Sequence, residues 1–369
     1  MKKQIAYIGL DVHKNSITMA LFAGNSEKEE FTKRSSNTIQ ELLKTMKKLS
    51  EEYYLRVCYE ASGCGYKIYR KLRNEGIDCI VAAPSLIPKE NKKIKTDKID
   101  AIKLAKYLRA GLLTAINVPS EEQERDRDLV RFRDFQVREL IRSKQFITAF
   151  LLRKGIDYSE FTTLFSKKFM EWISKLELSA DDRTLLNRLI AHYDYQNKLI
   201  DELTRDIEEL SNSEKYKDMN KILRAFRGID TLTSMTILTH IADFRSFPHP
   251  RKLMSFIGLT TGEDSSGDTI CRKGITKTGS VFLRKAFITA SQHYNSNRTG
   301  RSIREKRQDI PSAIAGIVAR ADSRCRKRYY RLLAKNKPFN VAKTAVAREL
   351  VGFIWEAMMC YHQGELSKV

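Results

Sequence analysis

The stretch IAYIGLDVHK at residues 5–14 decides how the front of this 369-residue chain is read. Ile5, Ala6, Tyr7, Ile8 and Leu10 form an apolar run short enough for a buried strand, with Gly9 placed shortly before Asp11. A polar hinge separates it from a second apolar run at 17–23, so the pair reads as a β-hairpin. A carboxylate closing a central strand is costly to desolvate unless something positive faces it. Lys14, a neighbouring basic residue or a metal ion would each meet that need, and the residues leave the three open.

Working outward, a third and more polar strand is expected near 29–34, followed by a helix from 38 to about 52. LRVCYE at 55–60 is another short strand, again ending on an acid. A helix at 65–75 has Gly76 as its C-cap, and IDCIVAA at 77–83 is a buried strand closed by Pro84. A basic loop at 89–98 leads into a helix at 99–110 that stops at Gly111. Three strands in a row, then helices and strands in alternation, is the element order of an α/β ribonuclease-H-like domain. Residues 1–118 are its expected extent.

From 119 to about 226 strand signals disappear. Leu186, Tyr193, Ile200 and Ile207 fall seven apart, as do Leu189, Gln196, Leu203 and Leu210. Sustained heptads predict an α-helical coiled coil over 119–218, with Gln196 fixing register or partner number. A helical hairpin folding on itself would give the same pattern. Residues 219–369 form a third, mainly helical region. It opens with a helix–turn–helix stretch around Gly228-Ile229-Asp230 that resembles a helix-hairpin-helix element, which holds phosphates with backbone amides. Asp230 stands where many such turns carry a second glycine and would repel an anion.

Composition narrows the function. The formal net charge is +22, and self-repulsion of that size calls for a polyanionic partner, nucleic acid ahead of an anionic membrane. No apolar run approaches the roughly 20 residues that span a bilayer, and MKKQIAYIG lacks a signal-peptide pattern. A soluble, cytoplasmic protein is expected. The six cysteines are scattered without a CxxC pair, which argues against zinc and against a disulfide framework. The six histidines show no metal-spaced pair among themselves.

Two constellations carry chemistry. Asp11 and Glu60 both close apolar strands, and Asp97 and Asp100 share one face where the next helix begins. Each acid alone has an ordinary use: Asp97 as an N-cap, Asp100 in a first turn, Glu60 in a salt bridge. Converging, they would repel strongly, and hard divalent cations such as Mg²⁺, two per site in phosphodiester chemistry, relieve that. An actin-like ATPase would place a Gly/Thr phosphate loop after the first aspartate, whereas Val12-His13-Lys14-Asn15 follows here. The second constellation is Glu263-Asp264-Ser265-Ser266-Gly267 with Arg272, Lys273, Lys277 and Arg284 behind it. A serine among cations suits attack on phosphate, although composition alone favours a solvated turn.

These motifs together resemble the DEDD transposases of the IS110 insertion-sequence family, relatives of the pilin-gene invertase. YIGLDVHK, CYEASG and KTDKIDAIKLA in front, FRGIDTLT, SFIGLT, SSG and GITKTG behind, and VAKTAVAREL near the end carry the resemblance over nearly the whole chain. It implies a RuvC-like N-terminal domain with catalytic, metal-binding Asp11, Glu60, Asp97 and Asp100, and a C-terminal transposase domain with catalytic Ser266. It further implies DNA cutting and rejoining through a covalent phosphoserine in the bacterial cytoplasm, at the nucleoid. The expected partners are element-end and target DNA, a structured guide RNA encoded by the element, and further copies of the chain, a dimer assembling to a tetramer. Lys14, Arg272, Lys273, Lys277 and Arg284 are the weaker candidates for nucleic-acid contact.

Overall fold

Strand β1 (Gln4–Val12) is the centre of a five-stranded sheet. The computed structural model describes residues 3–24, 26, 31–36, 38–88, 96–263, 271–296 and 301–366, and its contacts divide the chain into two units, 1–118 and 119–369.

In the first unit β2 (Ser16–Ala23) and β3 (Phe31–Ser36) continue from β1 as an antiparallel meander. Helix α1 (Ile39–Glu52), β4 (Tyr53–Glu60), α2 (Lys67–Asn74), β5 (Asp78–Ala82) and α3 (Asp97–Arg109) follow. The sheet order is β3-β2-β1-β4-β5, with β1, β4 and β5 parallel. Successive residues of a strand face opposite sides. Ala6, Ile8, Leu10 and Val12 therefore join Val57 and Tyr59 in one core, covered by Leu42 and Met46 of α1 and by Ile68 and Leu72 of α2. The intervening positions face α3, where Cys58 meets Leu104 and Leu108, with Tyr7 and Ile80 packed alongside. The hairpin, the helices and the two parallel strands follow the sequence reading closely. One detail differs: Thr96, not Asp97, caps α3, its hydroxyl accepting from the Ile99 amide at 3.3 Å. The helix thus starts earlier than expected, and Asp97 is its first residue. Gly76 takes the left-handed conformation expected after α2 (φ 74°).

The second unit is almost wholly helical. Its elements are α4 (Glu121–Arg153), α5 (Lys167–Ser174), α6 (Ala180–Ser211), α7 (Lys217–Arg224), α8 (Thr231–Ile241) and α9 (Pro250–Ile257). A two-stranded ribbon of β6 (Thr261–Glu263) and β7 (Arg272–Ile275) precedes α10 (Val281–Ser291), α11 (Arg301–Lys306), α12 (Ser312–Leu333) and α13 (Phe339–Leu366). The heptad side chains Leu186, Tyr193, Ile200, Leu203 and Ile207 of α6 are buried, and α6 packs on α4 of the same chain. Gln196, buried in that seam, accepts a hydrogen bond from Ser143 of α4 at 2.6 Å. The heptad pattern is thus satisfied by an intramolecular hairpin. Phe169, Phe161, Phe165 and Trp172 form an aromatic cap over one end of it.

The remaining core gathers α8, α10, α12 and α13 around Met235, Phe287, Tyr329, Leu350 and Ile354. At the α7–α8 turn Gly228 has φ 73°, and a Cβ there would lie 2.5 Å from the Ala290 carbonyl oxygen. Asp230 caps α8 by accepting from the Thr233 amide at 2.7 Å, so the helix start is already served by a carboxylate of its own chain. Part of the basic C-terminal stretch is used internally. Arg227 and Arg307 converge on Asp322 at 3.2 and 2.9 Å, and Arg324 pairs with Glu349 at 2.8 Å. Among the described residues no helix is long and apolar enough to cross a membrane.

Candidate active site

The alternation of β1 aims Asp11 at α3. Gly9 and Asp11 share one face of the strand, and at Gly9 the helix backbone lies directly against the sheet. A Cβ at Gly9 would come within 2.2 Å of the Ala101 carbonyl oxygen and 2.5 Å of the Ala105 amide nitrogen. On β4, Cys58 also faces α3, its thiol reaching the Leu104 carbonyl at 3.4 Å. The last parallel pair of β1 and β4 is Leu10 with Tyr59, so Glu60 stands one step further, beside Asp11 at the carboxyl ends of adjacent strands. Asp97 and Asp100 occupy the first turn of α3.

The side chains that meet are Asp11, Asp97 and His13. The His13 Nε2 atom lies 3.2 Å from Asp11 Oδ2 and 3.6 Å from Asp97 Oδ1. One donor atom from each of the three falls within 4.8 Å of the others. Arg34 of β3 approaches the second oxygen of Asp97 at 3.6 Å. Burial raises the Asp11 pKa above its ordinary value; the charges of Asp97 and Asp100 push it the same way, and His13 opposes them. Two carboxylates and an imidazole, with Asp100 near enough to be felt electrostatically, are a donor set that fits a divalent cation. Glu60 is exposed at the neighbouring strand end and stands outside the three-atom group.

His13 belongs to this group although the six histidines show no metal-spaced pair among themselves. Its signal was the Asp11-x-His13 spacing, which puts both side chains on one side of an extended segment. Lys14 is exposed in the turn between β1 and β2.

Ser266, its neighbour Ser265 and the loop between β6 and β7 lie outside the described residues. The ribbon beside them is anchored by close backbone packing. A Cβ at Gly258 would meet the Thr278 carbonyl at 2.0 Å, and one at Gly279 the Phe256 carbonyl at 1.9 Å. Lys273 and Lys277 are exposed, Lys277 in the left-handed region (φ 56°), and Arg272 begins β7. Arg284 serves a structural purpose: its Nη1 reaches the carbonyls of Ile257, Thr278 and Gly279 at 3.1, 2.9 and 3.0 Å. A phosphate would have to compete with those three carbonyls for that nitrogen.

Comparison with known proteins agrees with both regions. A family model of DEDD type, described as "Transposase", matches residues 8–155, and the model "Transposase IS116/IS110/IS902 family" matches 220–307. The "Putative transposase y4qE" of Sinorhizobium fredii is 35% identical over 356 residues, 95% of this chain and 87% of the relative. The "Transposase for insertion sequence element IS1533" of Leptospira borgpetersenii is 31% identical, over 91% of this chain and 99% of the relative. The chain belongs to the IS110 family of insertion-sequence transposases. A third relative, the "Transposase for insertion sequence element IS1328" of Yersinia enterocolitica, is 24% identical over 86% of this transposase and 95% of its own length. The family makes this transposase a DNA-cutting and joining enzyme. The DEDD designation of the matched model also agrees with divalent-metal use at the carboxylate site.

Proposed function

We propose that this transposase cuts and rejoins DNA through a covalent phosphoserine, with a RuvC-like, RNase H-like first domain supplying the carboxylates Asp11, Glu60, Asp97 and Asp100 and the C-terminal domain supplying Ser266. The observation that carries the reading is the meeting of Asp11 and Asp97 at the carboxyl end of β1, on a sheet of order β3-β2-β1-β4-β5 with a three-stranded meander and two parallel strands. Asp11, Glu60, Asp97 and Asp100 would hold Mg²⁺, two ions per site. When bound, such ions offset carboxylate repulsion and stabilise charge on the phosphate.

In this reading the Ser266 hydroxyl oxygen bonds to phosphorus as one bridging P–O bond of the strand breaks. The serine proton passes to a nearby base, and the released strand oxygen takes up a proton. Attack by a second strand's hydroxyl on the phosphoserine regenerates the serine and joins the new strand. Bond number is conserved, so no external energy source is needed. Lys14, Arg272, Lys273 and Lys277 are the proposed phosphate contacts; Arg284 is left with the turn it braces.

The +22 charge supports a further nucleic-acid partner, an element-encoded structured RNA whose base pairing selects donor and target while the protein holds backbones. Assembly of dimers into a tetramer, through the outer face of the helical hairpin rather than its internal heptad seam, would bring Ser266 of one protomer to the carboxylates of another. Phe132, Phe135 and Phe146 remain exposed on α4, a surface of the kind a second copy covers.

A denaturing gel separates this reading from its rivals. Wild type and Ser266→Ala are incubated with Mg²⁺, element ends, target and the adjacent non-coding RNA. A labelled strand carried on wild-type protein and absent from the mutant supports the phosphoserine. Free cleaved DNA from both would mean hydrolysis by water at the carboxylates, a second reading that needs the Asp11–Asp97 cluster and not the serine. Unchanged activities in Asp11→Asn would instead reduce the protein to a catalytically silent nucleic-acid binder.

A further inference from the structure

We propose that His13 is itself a ligand of the divalent metal, giving this transposase a mixed nitrogen and oxygen site that gains more affinity for first-row transition ions than for Mg²⁺. The inference rests on the reading that Asp11 and Asp97 hold a metal, and adds a donor outside the four carboxylates.

The distances have the right scale. Ligands adjacent to one another on an octahedral ion with bonds of about 2.1 Å stand about 3 Å apart, and opposite ligands about 4.2 Å. The His13 Nε2 separations of 3.2 Å to Asp11 and 3.6 Å to Asp97, within a group that spans no more than 4.8 Å, are of this size.

The backbone also pre-sets the ring. The His13 amide donates to the Ser16 carbonyl at 2.9 Å, closing the turn between β1 and β2 directly after the strand. The imidazole is thus carried on the end of the sheet's central strand rather than on a long loop. Asp97 is held from the other side by the Thr96 cap and by the close approach of α3 to Gly9.

The two oxygens of Asp97 are divided between neighbours. Oδ2 faces Arg34, while Oδ1 faces His13. One oxygen is therefore charge-compensated and the other turned to the imidazole and Asp11. The His13 side chain is 55% exposed, so an ion and its remaining waters can reach this face. Mg²⁺ prefers oxygen donors and keeps its waters, whereas an imidazole nitrogen adds affinity for transition ions.

The test uses the full chain with Mn²⁺ alone, without nucleic acid. Pulsed EPR of bound Mn²⁺ reads nitrogen-14 coupling, and titration reads affinity for Mn²⁺ and, by competition, for Mg²⁺. The expected result is nitrogen coupling in wild type that vanishes in both His13→Ala and His13→Gln. Mn²⁺ affinity should fall about tenfold or more in each, with a smaller loss for Mg²⁺. Circular dichroism melts should be unchanged, since the side chain is more than half exposed. Mn²⁺ binding that is lost in Asp11→Asn, yet shows no nitrogen coupling in wild type and no change in His13→Ala, overturns the His13 ligand while leaving the carboxylate site standing. Absence of Mn²⁺ binding in wild type, or binding indifferent to Asp11→Asn, overturns both.

Discussion

Gly9 on the central strand lies so close to Ala101 that a Cβ there would come within 2.2 Å of the Ala101 carbonyl oxygen. That contact sets the height of α3 above the sheet, and with it the distance between Asp97 on the helix and Asp11 two residues further along the strand. Gly9→Ala must push the helix away. It should destabilise the chain by about 1–3 kcal/mol or more, as overpacking does, and weaken metal binding. A melt and an Mn²⁺ titration of the same variant check both effects; a variant with wild-type affinity would show that the spacing is not set here.

Buried His240 supplies a pH prediction remote from that site. Burial first, and then Arg131 and Arg127, pull its pKa from an ordinary 6.5 down to about 3. Its Nδ1–H donates to the Thr236 carbonyl at 2.9 Å, and the ring packs on Phe282. Between those two pH values the unfolded chain binds a proton that the folded chain does not. Stability should therefore fall as pH drops below 6.5, by up to about 1.4 kcal/mol per pH unit from this group. Urea unfolding from about pH 7 to pH 4 should show the slope in wild type and a shallower one in His240→Gln.

Asp322 balances two arginines, one of them, Arg227, only 5% exposed at its side chain. Asp322→Asn leaves Arg227 and Arg307 without their shared counter-charge. The expected cost is about 3–5 kcal/mol, the scale for breaking a buried ion pair by removing one partner. Chemical denaturation measures it; a loss below about 1 kcal/mol would mean water replaces the carboxylate.

Gln196 tests what the heptads are for. Its partner Ser143 belongs to the same chain, so Gln196→Ala should lower unfolding stability by about 1–3 kcal/mol without altering the molar mass seen by light scattering. A changed assembly state with unchanged unfolding would place the seam between chains.

Much of the first domain was legible because its signals are local. The apolar run ending on Asp11, its counterpart ending on Glu60, the glycine stops and the heptads all follow from residue type and spacing, since strand and helix periodicities are fixed by backbone geometry. The resemblance of the motifs to IS110-family transposases was equally readable, and the family matches agree. Three things were not. Hairpin and coiled coil bury the same heptad seam, so only the fold shows α6 taking α4 as its partner. Arg284 reads as a free cation in sequence, but three carbonyls brought together by the Gly258 and Gly279 packing claim it. His13 has no nearby histidine or cysteine to mark it as a ligand. It joins Asp97, 84 positions away in the sequence, because a glycine without a Cβ lets α3 settle onto the strand. Side-chain direction is encoded locally, whereas which directions converge is decided only when the elements pack.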